Sequence, residues 1–298
     1  MNHLIAVPLD PSLAEFIGKK NTTNGIDFYN RKTEDGIITV LAPSNVVEKF
    51  FAAVQILTLA EHIVVSTSAV DSLFGEIILA CSVLGKKIIF TDDNDVSKII
   101  SNMELNHTIV PRSGIFDLLT YSAADSTGAL RIDIDKAFPV KGIGTVALGI
   151  VTKGSVNAHD KVYHGTKQVE IKSIQSQDED IKQAGMWTRV GLALKGIEHS
   201  EMDKGSIFLD KPSQPVSAIE VELNVLKLTG EEAAVGKVYG FVSGFNYTNV
   251  SVVEIAPGRA KLRLDRAVGL QEGDSFLLLK ERVPRVFGGG KIINIINR

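Results

Sequence analysis

The chain has 298 residues, of which 44% are apolar and 22% charged, and its net charge is −3. This composition is typical of a globular protein with two or three domains and excludes the disordered and fibrous classes. No apolar run reaches about 18 residues and the N-terminus lacks the features of a signal peptide, so we expect a cytoplasmic location and no membrane partner. The single cysteine, Cys81, excludes a disulfide framework and favours a buried structural thiol.

Charge is distributed unevenly along the chain. Residues 1–124 hold 9 Lys and Arg against 14 Asp and Glu, residues 125–212 hold 12 against 12, and residues 213–298 hold 11 against 9. This distribution gives no reason to expect DNA as a partner. It also restricts any RNA contact to local basic patches toward the C-terminus.

From Leu4 to about Tyr121, short apolar runs alternate with helical stretches. The helical stretches, 46–60 and 73–85, carry apolar residues at three- and four-residue spacing, as helices that pack on a sheet do. The apolar runs are rich in β-branched residues, which suits strands buried on both faces. This alternation predicts an α/β domain with a mainly parallel sheet, whose strands are LIAV, IITVL, HIVVS, KIIF and TIV.

Helical patterns almost vanish after the small, polar stretch 121–129, which we interpret as a linker. Short strand-like runs follow at intervals of about 8 to 12 residues, separated by turn sequences such as KGIG, TKGS, HGTK and QEGD, which predicts β-barrels. The segment 210–217 contains two prolines and separates two such units. We therefore expect domains at residues 1–124, 125–212 and 213–298.

Three blocks in the middle of the chain carry a family resemblance. They are IDIDKAFPVKGIGTVALGIVTKGSV, VEIKSIQSQDED and AGMWTRVGLALKGI, in that order. They resemble the second domain of translational GTPases of the archaeal selenocysteine-specific elongation factor type, with wider similarity to elongation factor Tu and initiation factor 2 gamma. GRAKLRLDRAVGLQEGDSFLLL and RVFGGGKII resemble the third domain of the same family. The resemblance implies a GTPase-like domain followed by two β-barrels, and we expect the family's fourth, mRNA-reading domain to be absent.

The first domain departs from the GTPase motifs that the resemblance implies. A phosphate-binding loop needs GxxxxGK[ST] between a strand and a helix, because glycine N–H groups wrap the phosphates and the lysine neutralises them. Here the loop contains prolines and no glycine or lysine, and the positions of the metal-binding and guanine-reading motifs are also changed. The positions concerned are Pro8, Asp10 and Pro11 in the phosphate loop, Asp27 at the metal-binding threonine, Leu41, Pro43 and Asn45 at the second metal motif, and Thr91, Asn94 and Asp95 at the guanine-reading motif.

These losses lead us to interpret residues 1–124 as a degenerate, pseudo-GTPase domain. Without the lysine and with an acidic TDDND loop, the charge of a triphosphate and its Mg²⁺ is not compensated. We expect no catalytic residues and no cofactor, with GTP in an altered pocket as an open alternative. The substituted residues can equally be ordinary packing and loop positions.

The family docks the 3′ end of aminoacyl-tRNA on one face of the middle domain. Position by position, the resemblance places this contact on Asp135, Lys136, Phe138, Thr145, Lys172, Ser173, Ile174 and Gln175. Lys136 and Lys172 replace carboxylates of the Tu factors, and a lysine suits a phosphate or an acidic group better than a free amino group. Phe138, Thr145 and Ile174 can equally belong to the barrel core and a turn.

The end of the last domain is a second candidate RNA contact. Basic residues surround the FGGG segment at 287–290, where glycines allow close backbone approach to a phosphodiester chain. The candidates are Lys280, Arg282, Arg285 and Lys291. Trp187 is expected to be an exposed aromatic in a loop, either a stacking contact or a loop anchor.

The sequence is compatible with three functions. The first is a translation elongation factor-like protein that binds tRNA or aminoacyl-tRNA through its barrels without GTP hydrolysis, with the ribosome or other translation factors as further partners. The second is a protein-interaction paralogue of a translation factor, and the third is a GTP-binding regulator. No metal-ligand or catalytic set stands out in the sequence among the six histidines, so we expect neither a metal site nor a new enzyme.

Overall fold

The computed structural model describes residues 2–34, 36–44, 49–92, 96–101, 105–119, 128–226 and 230–296. Within these described residues, domain 1 shows seven strands, four α-helices and a 3₁₀ helix at Arg112–Leu118. Its strands are β1 (His3–Ala6), β2 (Lys19–Thr23), β3 (Ile26–Thr33), β4 (Gly36–Pro43), β5 (His62–Ser66), β6 (Ile88–Thr91) and β7 (His107–Ile109). Its helices are α1 (Pro11–Ile17), α2 (Lys49–Leu59), α3 (Ser72–Leu84) and α4 (Ser97–Ile100).

These strands form one mixed sheet in the order β2-β3-β4-β1-β5-β6-β7. Strands β4, β1, β5, β6 and β7 are parallel, which confirms the mainly parallel α/β domain predicted from the alternating pattern. The antiparallel hairpin β2–β3 was not predicted, because its first strand reads KKNTT and is almost entirely exposed. Cys81 is fully buried in α3, as expected.

The first barrel is built from antiparallel strands after residue 130. Six of them close on themselves in the order β11-β16-β8-β9-β15-β12, because β11 also pairs with β12. The small strand β13 extends the sheet beyond β12, and β10 pairs with β14 beside it. The strands are β8 (Arg131–Val140), β9 (Gly144–Lys153), β10 (Ser155–Asn157), β11 (Lys161–His164), β12 (Lys167–Ser176), β13 (Glu179–Ile181), β14 (Gln183–Gly185), β15 (Arg189–Lys195) and β16 (Ile207–Leu209), with a 3₁₀ turn at His199–Glu201.

The second barrel closes with six antiparallel strands in the order β17-β20-β19-β18-β21-β22. They are β17 (Val216–Val225), β18 (Val238–Ser243), β19 (Asn246–Ala256), β20 (Arg259–Val268), β21 (Ser275–Leu279) and β22 (Val286–Ile295). The two predicted barrels are therefore confirmed. The expected boundary at 212/213 falls in the connection between Leu209 and Val216, and the one at 124/125 lies outside the described residues.

The three domains pack against one another. Helices α2 and α3 share a continuous apolar core with the second barrel, to which Val242, Phe245, Leu277 and Val286 contribute. Each barrel also has an apolar core of its own. Among the described helices, none combines the length and apolarity needed to cross a membrane.

Candidate functional site

The carboxyl edge of the domain 1 sheet is where the resemblance places a nucleotide. The loop after β1 runs from Val7 to Asp10, and the Asp10 side chain caps α1 by accepting hydrogen bonds from the Ser12 backbone N–H at 2.9 Å and from its hydroxyl at 2.7 Å. Pro11 stands at the first position of the helix and has no N–H to donate. The N-terminal end of α1 therefore donates the Ser12 N–H to a carboxylate of its own chain.

Arg112 joins this cap to the end of β6. Its Nη2 lies 2.9 Å from Asp10 Oδ2, and its Nε lies 2.7 Å from Asp92 Oδ1. Asp92 also accepts a hydrogen bond from Ser66, at the end of β5. The Arg112 guanidinium lowers the pKa of Asp92. The pKa of Asp10 is also below its ordinary value: burial would raise it, and bonds from Ser12 and the charge of Arg112 outweigh that effect.

The other predicted nucleotide-site residues that the structure describes are mostly buried. Leu41 is fully buried in the core, and Thr91 is also fully buried. Asp27 pairs in register with Ala42, is 5% exposed and forms an ion pair with Lys20 at 2.6 Å. Pro8 and Pro43 are buried, Pro11 is exposed, and Asn45, Asn94 and Asp95 lie outside the described residues.

On the first barrel, the structure separates the predicted contact residues into two groups. The buried group is internal: Ile174 is fully buried in the barrel core, Thr145 is 6% exposed, and Asp135 is 2% exposed. Asp135 forms an ion pair with Arg189, whose guanidinium lies 3.7 Å from the centre of the Phe28 ring in domain 1.

The β2–β3 hairpin of domain 1 accounts for the burial of Asp135. Asn24 Nδ2 donates to the Asp135 carbonyl oxygen at 3.0 Å, and Phe28 covers Arg189. In this arrangement the Asp135 carboxylate contributes to the contact between the domains. The prediction that it contacts RNA has no support from its position.

The exposed group surrounds the β8–β9 turn. Lys136 is exposed and its Nζ lies 5.6 Å from the centre of the half-buried Phe138 ring. Lys172 is the residue at which β12 shifts register against β15, and its Nζ donates to the Ile143 carbonyl oxygen at 2.8 Å. Such a bulge redirects a side chain, and here it brings Lys172 to the turn.

Two residues of the β8–β9 turn, Lys141 and Ile143, lie with the predicted residues Lys136, Phe138 and Lys172. We call these five residues the lysine patch; its three lysines are exposed, Phe138 is half-buried and Ile143 is 46% exposed. None of its three lysines forms an ion pair with another residue among those the structure describes. The patch therefore presents uncompensated positive charge beside apolar surface. Ser173 and Gln175 are exposed on the same strand as Lys172, and Gln175 donates to Asp180 at 2.9 Å.

The four predicted basic residues of the second barrel differ in exposure and in their partners. Arg285 donates from its backbone N–H and its guanidinium to Glu76 of α3, and its guanidinium lies 3.7 Å from the centre of the Phe50 ring in α2. Lys280 forms an ion pair with Glu231 at 2.6 Å. Arg282 and Lys291 are exposed. The structure thus gives Arg285 an internal role in joining domain 1 to the second barrel, while its predicted RNA contact stays a prediction.

The structure bears on Trp187 and on the FGGG glycines: the expected exposure of Trp187 was wrong, but of its two open roles the contacts support the loop anchor. Trp187 is half-buried against the domain 1 core, and its carbonyl accepts a hydrogen bond from Thr39 at 3.0 Å, so it is a loop anchor between domains. The glycines of FGGG are buried in β22, where the close approach that they allow is to neighbouring strands.

The sequence also missed a possible ligand set in domain 1. His3, Glu61 and His62 lie at the opposite, amino edge of the sheet. Burial would raise the pKa of Glu61, but the imidazoles of His3 and His62 outweigh it and lower this pKa to about 2.

Comparisons with known proteins agree with this architecture. No family model matches the sequence. The chain is 27% identical over 290 residues to an uncharacterised protein of Methanocaldococcus jannaschii, covering 93% of this chain and 94% of that one. It is 26% identical over 198 residues to the selenocysteine-specific elongation factor of the same organism, covering 57% of this chain and 42% of that protein.

A solved structure extends the similarity to the whole fold. The elongation factor SelB of Methanococcus maripaludis, crystallised with a GTP analogue, matches 99% of this chain and 79% of its own with a TM-score of 0.80 at 17% identity. This chain is homologous to translation factors of the SelB and EF-Tu type. It shares their order of a mixed-sheet domain followed by two six-stranded antiparallel barrels.

Proposed function

We propose that the protein is an elongation factor-like RNA-binding protein that holds the acceptor end of tRNA or aminoacyl-tRNA on its first barrel and does not hydrolyse GTP. The observation that carries the proposal is the lysine patch. Unpaired lysines supply the sequence-independent attraction to phosphates that dominates binding to nucleic acids. An aromatic ring and an apolar side chain beside them suit an unstacked base at an RNA end.

The carboxyl edge of domain 1 supports the second half of the proposal. A triphosphate needs free N–H donors and positive charge at this edge, and here a carboxylate of the chain caps α1. The Arg112 guanidinium at this edge is held between Asp10 and Asp92, so these three groups together carry a net negative charge, and the Lys49 ammonium donates to the Leu9 carbonyl oxygen of the same loop. We infer that tRNA binding in this protein is not controlled by a nucleotide switch.

Filter binding of total tRNA across a salt series tests the RNA half. We expect saturable binding that weakens steeply with salt, because phosphate contacts release counterions. The double variant Lys136→Glu with Lys172→Glu should bind more weakly and reduce the slope of log K against log salt by about 1.5, given about 0.7 to 0.9 per phosphate contact. A tRNA lacking its 3′-terminal adenosine should bind the wild-type protein more weakly than the intact tRNA.

A charge-matched control separates the patch from general electrostatics. Lys87 and Lys237 are exposed lysines of domain 1 and the second barrel. Their double reversal to Glu changes the net charge equally and should leave most of the affinity intact. The absence of saturable binding at low salt, or an equal loss in both double variants, would exclude the patch as the binding site.

Calorimetric titration with GTP and Mg²⁺ tests the nucleotide half. We expect no binding heat at millimolar nucleotide and no phosphate release above background. Stoichiometric binding of GTP would show that the edge opens to a nucleotide. In that case the protein would be a GTP-binding regulator with an altered pocket, and the proposal of an RNA-binding factor without a nucleotide switch would be wrong.

A further inference from the structure

Three side chains of domain 1 converge at the amino edge of its sheet. His3 begins β1, His62 begins the adjacent β5, and Glu61 immediately precedes β5. Glu61 Oε2 lies 3.7 Å from His3 Nδ1 and 3.3 Å from His62 Nε2, and the three atoms all lie within 4.8 Å of one another. The side chains are only 10%, 11% and 14% exposed for His3, Glu61 and His62 respectively.

The three converging atoms are all buried; none of them meets hydrogen-bond geometry with a partner among the described residues, and the ion-pair contacts between them are 3.7 and 3.3 Å long. Buried polar atoms of proteins are normally satisfied, and an unsatisfied one is destabilising, so three at one point call for an explanation. Each of the three can offer a lone pair, from a neutral imidazole nitrogen or from a carboxylate oxygen. A cation placed between them would satisfy all three atoms at once.

The donor set and its spacing specify the kind of cation. Two imidazoles and one carboxylate are a common ligand set for Zn²⁺ and related first-row divalent ions, whereas Mg²⁺ and Ca²⁺ prefer oxygen ligands. Ligands about 2.05 Å from a tetrahedral Zn²⁺ lie about 3.3 Å apart, and Glu61 Oε2 lies 3.3 Å from His62 Nε2 and 3.7 Å from His3 Nδ1. We propose that His3, Glu61 and His62 form a binding site for a divalent transition-metal ion such as Zn²⁺, with a further coordination position for water.

The location indicates what the ion would do. It would join the amino ends of two adjacent parallel strands, at the edge opposite to Asp10, Asp92 and Arg112. Asn2, next to His3, donates from its Nδ2 to the Thr188 hydroxyl at 2.9 Å and to the Met186 carbonyl at 3.0 Å in the first barrel. A bound ion would therefore stiffen the start of the chain where domain 1 contacts the first barrel, independently of RNA binding.

The test is metal binding by the untagged 298-residue chain after removal of metals with a chelator. Titration with Zn²⁺ against a chromophoric competitor should give one equivalent per chain. Titration with Co²⁺ should give the visible absorption of a low-symmetry tetrahedral or five-coordinate site. Zn²⁺ should raise the Tm by about 2 to 4 °C, since a ligand that binds only the folded state stabilises it.

Variants identify the site. The double variant His3→Gln with His62→Gln should lower Zn²⁺ affinity at least about 100-fold, and Glu61→Gln, which keeps the shape of the side chain, should also weaken it. The matched control is His107→Gln with His159→Gln, which removes two exposed histidines and should bind Zn²⁺ like the wild type. Circular dichroism checks that each variant is folded.

Two results would overturn the proposal. One is the absence of stoichiometric Zn²⁺ binding and of any Co²⁺ absorption by the wild-type protein, which would leave the cluster an ion pair only. The other is undiminished binding by folded Glu61→Gln and His3→Gln/His62→Gln proteins.

Discussion

A single guanidinium, Arg112, organises the carboxyl edge of the domain 1 sheet. It contacts carboxylates from two separate loops, Asp10 after β1 and Asp92 after β6. Its side chain is 30% exposed and theirs are 18% and 19% exposed, so these ion pairs are less screened than surface pairs. Arg112 therefore compensates the charge of two carboxylates of the chain itself.

We predict that Arg112→Met lowers the free energy of unfolding by about 1 to 3 kcal/mol at pH 7, because two partly buried carboxylates lose charged hydrogen bonds. The pKa values of Asp10 and Asp92 are depressed in the folded protein, so their contribution is complete above the ordinary value of 3.8 and is lost as the pH falls through the folded values. Urea unfolding from pH 7 down to pH 3 measures the difference between variant and wild type.

This difference should be constant at neutral pH and shrink below about pH 4. The exposed Arg282→Met serves as the control for loss of an arginine. A difference that persists unchanged at pH 3 would assign the effect of Arg112 to packing instead of charge.

For single residues, the sequence indicated which side chains occupy the candidate site better than it indicated which residues they contact. Asp10 stood out because it occupies a loop where a phosphate-binding motif is implied. Arg112 lies about 100 residues away, outside every motif, and only the parallel sheet brings the two loops together. The same limit hid His3 and His62, which sit at the amino ends of two predicted strands. The two histidines are close together only because β1 pairs with β5, and this pairing could not be predicted from the sequence.

At the scale of elements, glycines determine how tightly the second barrel closes. A Cβ at Gly288 would lie 2.6 Å from the Asn224 carbonyl oxygen, and a Cβ at Gly290 would lie 2.1 Å from that of Glu222, both on β17. Gly290 also has a φ of +158°. The glycines of FGGG are therefore required by the packing of β22 against its neighbouring strands. The sequence alone cannot distinguish glycines that allow strands to pack closely from glycines that allow a ligand to approach the backbone.

We predict that Gly290→Ala lowers the free energy of unfolding by at least about 2 kcal/mol, because the new methyl group overlaps backbone that cannot move without opening the barrel. Gly185→Ala is the matched control, since its Cβ would meet nothing within 4 Å, and we expect a change within about 0.5 kcal/mol. Chemical denaturation of both variants measures this. Equal, small effects would mean that β22 can shift to accept the methyl group.

Periodicity was reliable for the elements that are buried on a regular face. It predicted α2, α3 and the parallel strands, whose apolar residues form the domain 1 core. It failed for the β2–β3 hairpin, because β2 is polar and exposed and is held mainly by pairing with β3. That hairpin covers Asp135, so the missed element is also the reason that a predicted contact residue is buried.

At the scale of the whole molecule, domain 1 and the barrels are joined by both apolar and charged contacts. Helices α2 and α3 bury apolar residues against strands β18, β21 and β22. Beside this core, Glu76 of α3 is 4% exposed at its side chain and paired with Arg285. Arg131 of the first barrel binds Asp274 of the second at 2.6 Å, which connects the two barrels. Relative motion of the domains would break buried contacts.

This arrangement predicts that the three domains unfold as one cooperative unit. The only tryptophan, Trp187, anchors a first-barrel loop to domain 1, so its fluorescence reports on their contact, whereas far-UV circular dichroism reports on all strands and helices. We expect the two signals to change at the same guanidinium concentration in wild-type protein.

Glu76→Gln leaves Arg285 without its anionic partner, and we expect it to lower the free energy of unfolding by about 3 kcal/mol and to shift both unfolding curves together. Lys87→Gln, a charge change at an exposed site, should move neither. Separate transitions in the wild type, with fluorescence changing first, would instead show that the contact between domain 1 and the first barrel opens while the barrels remain folded.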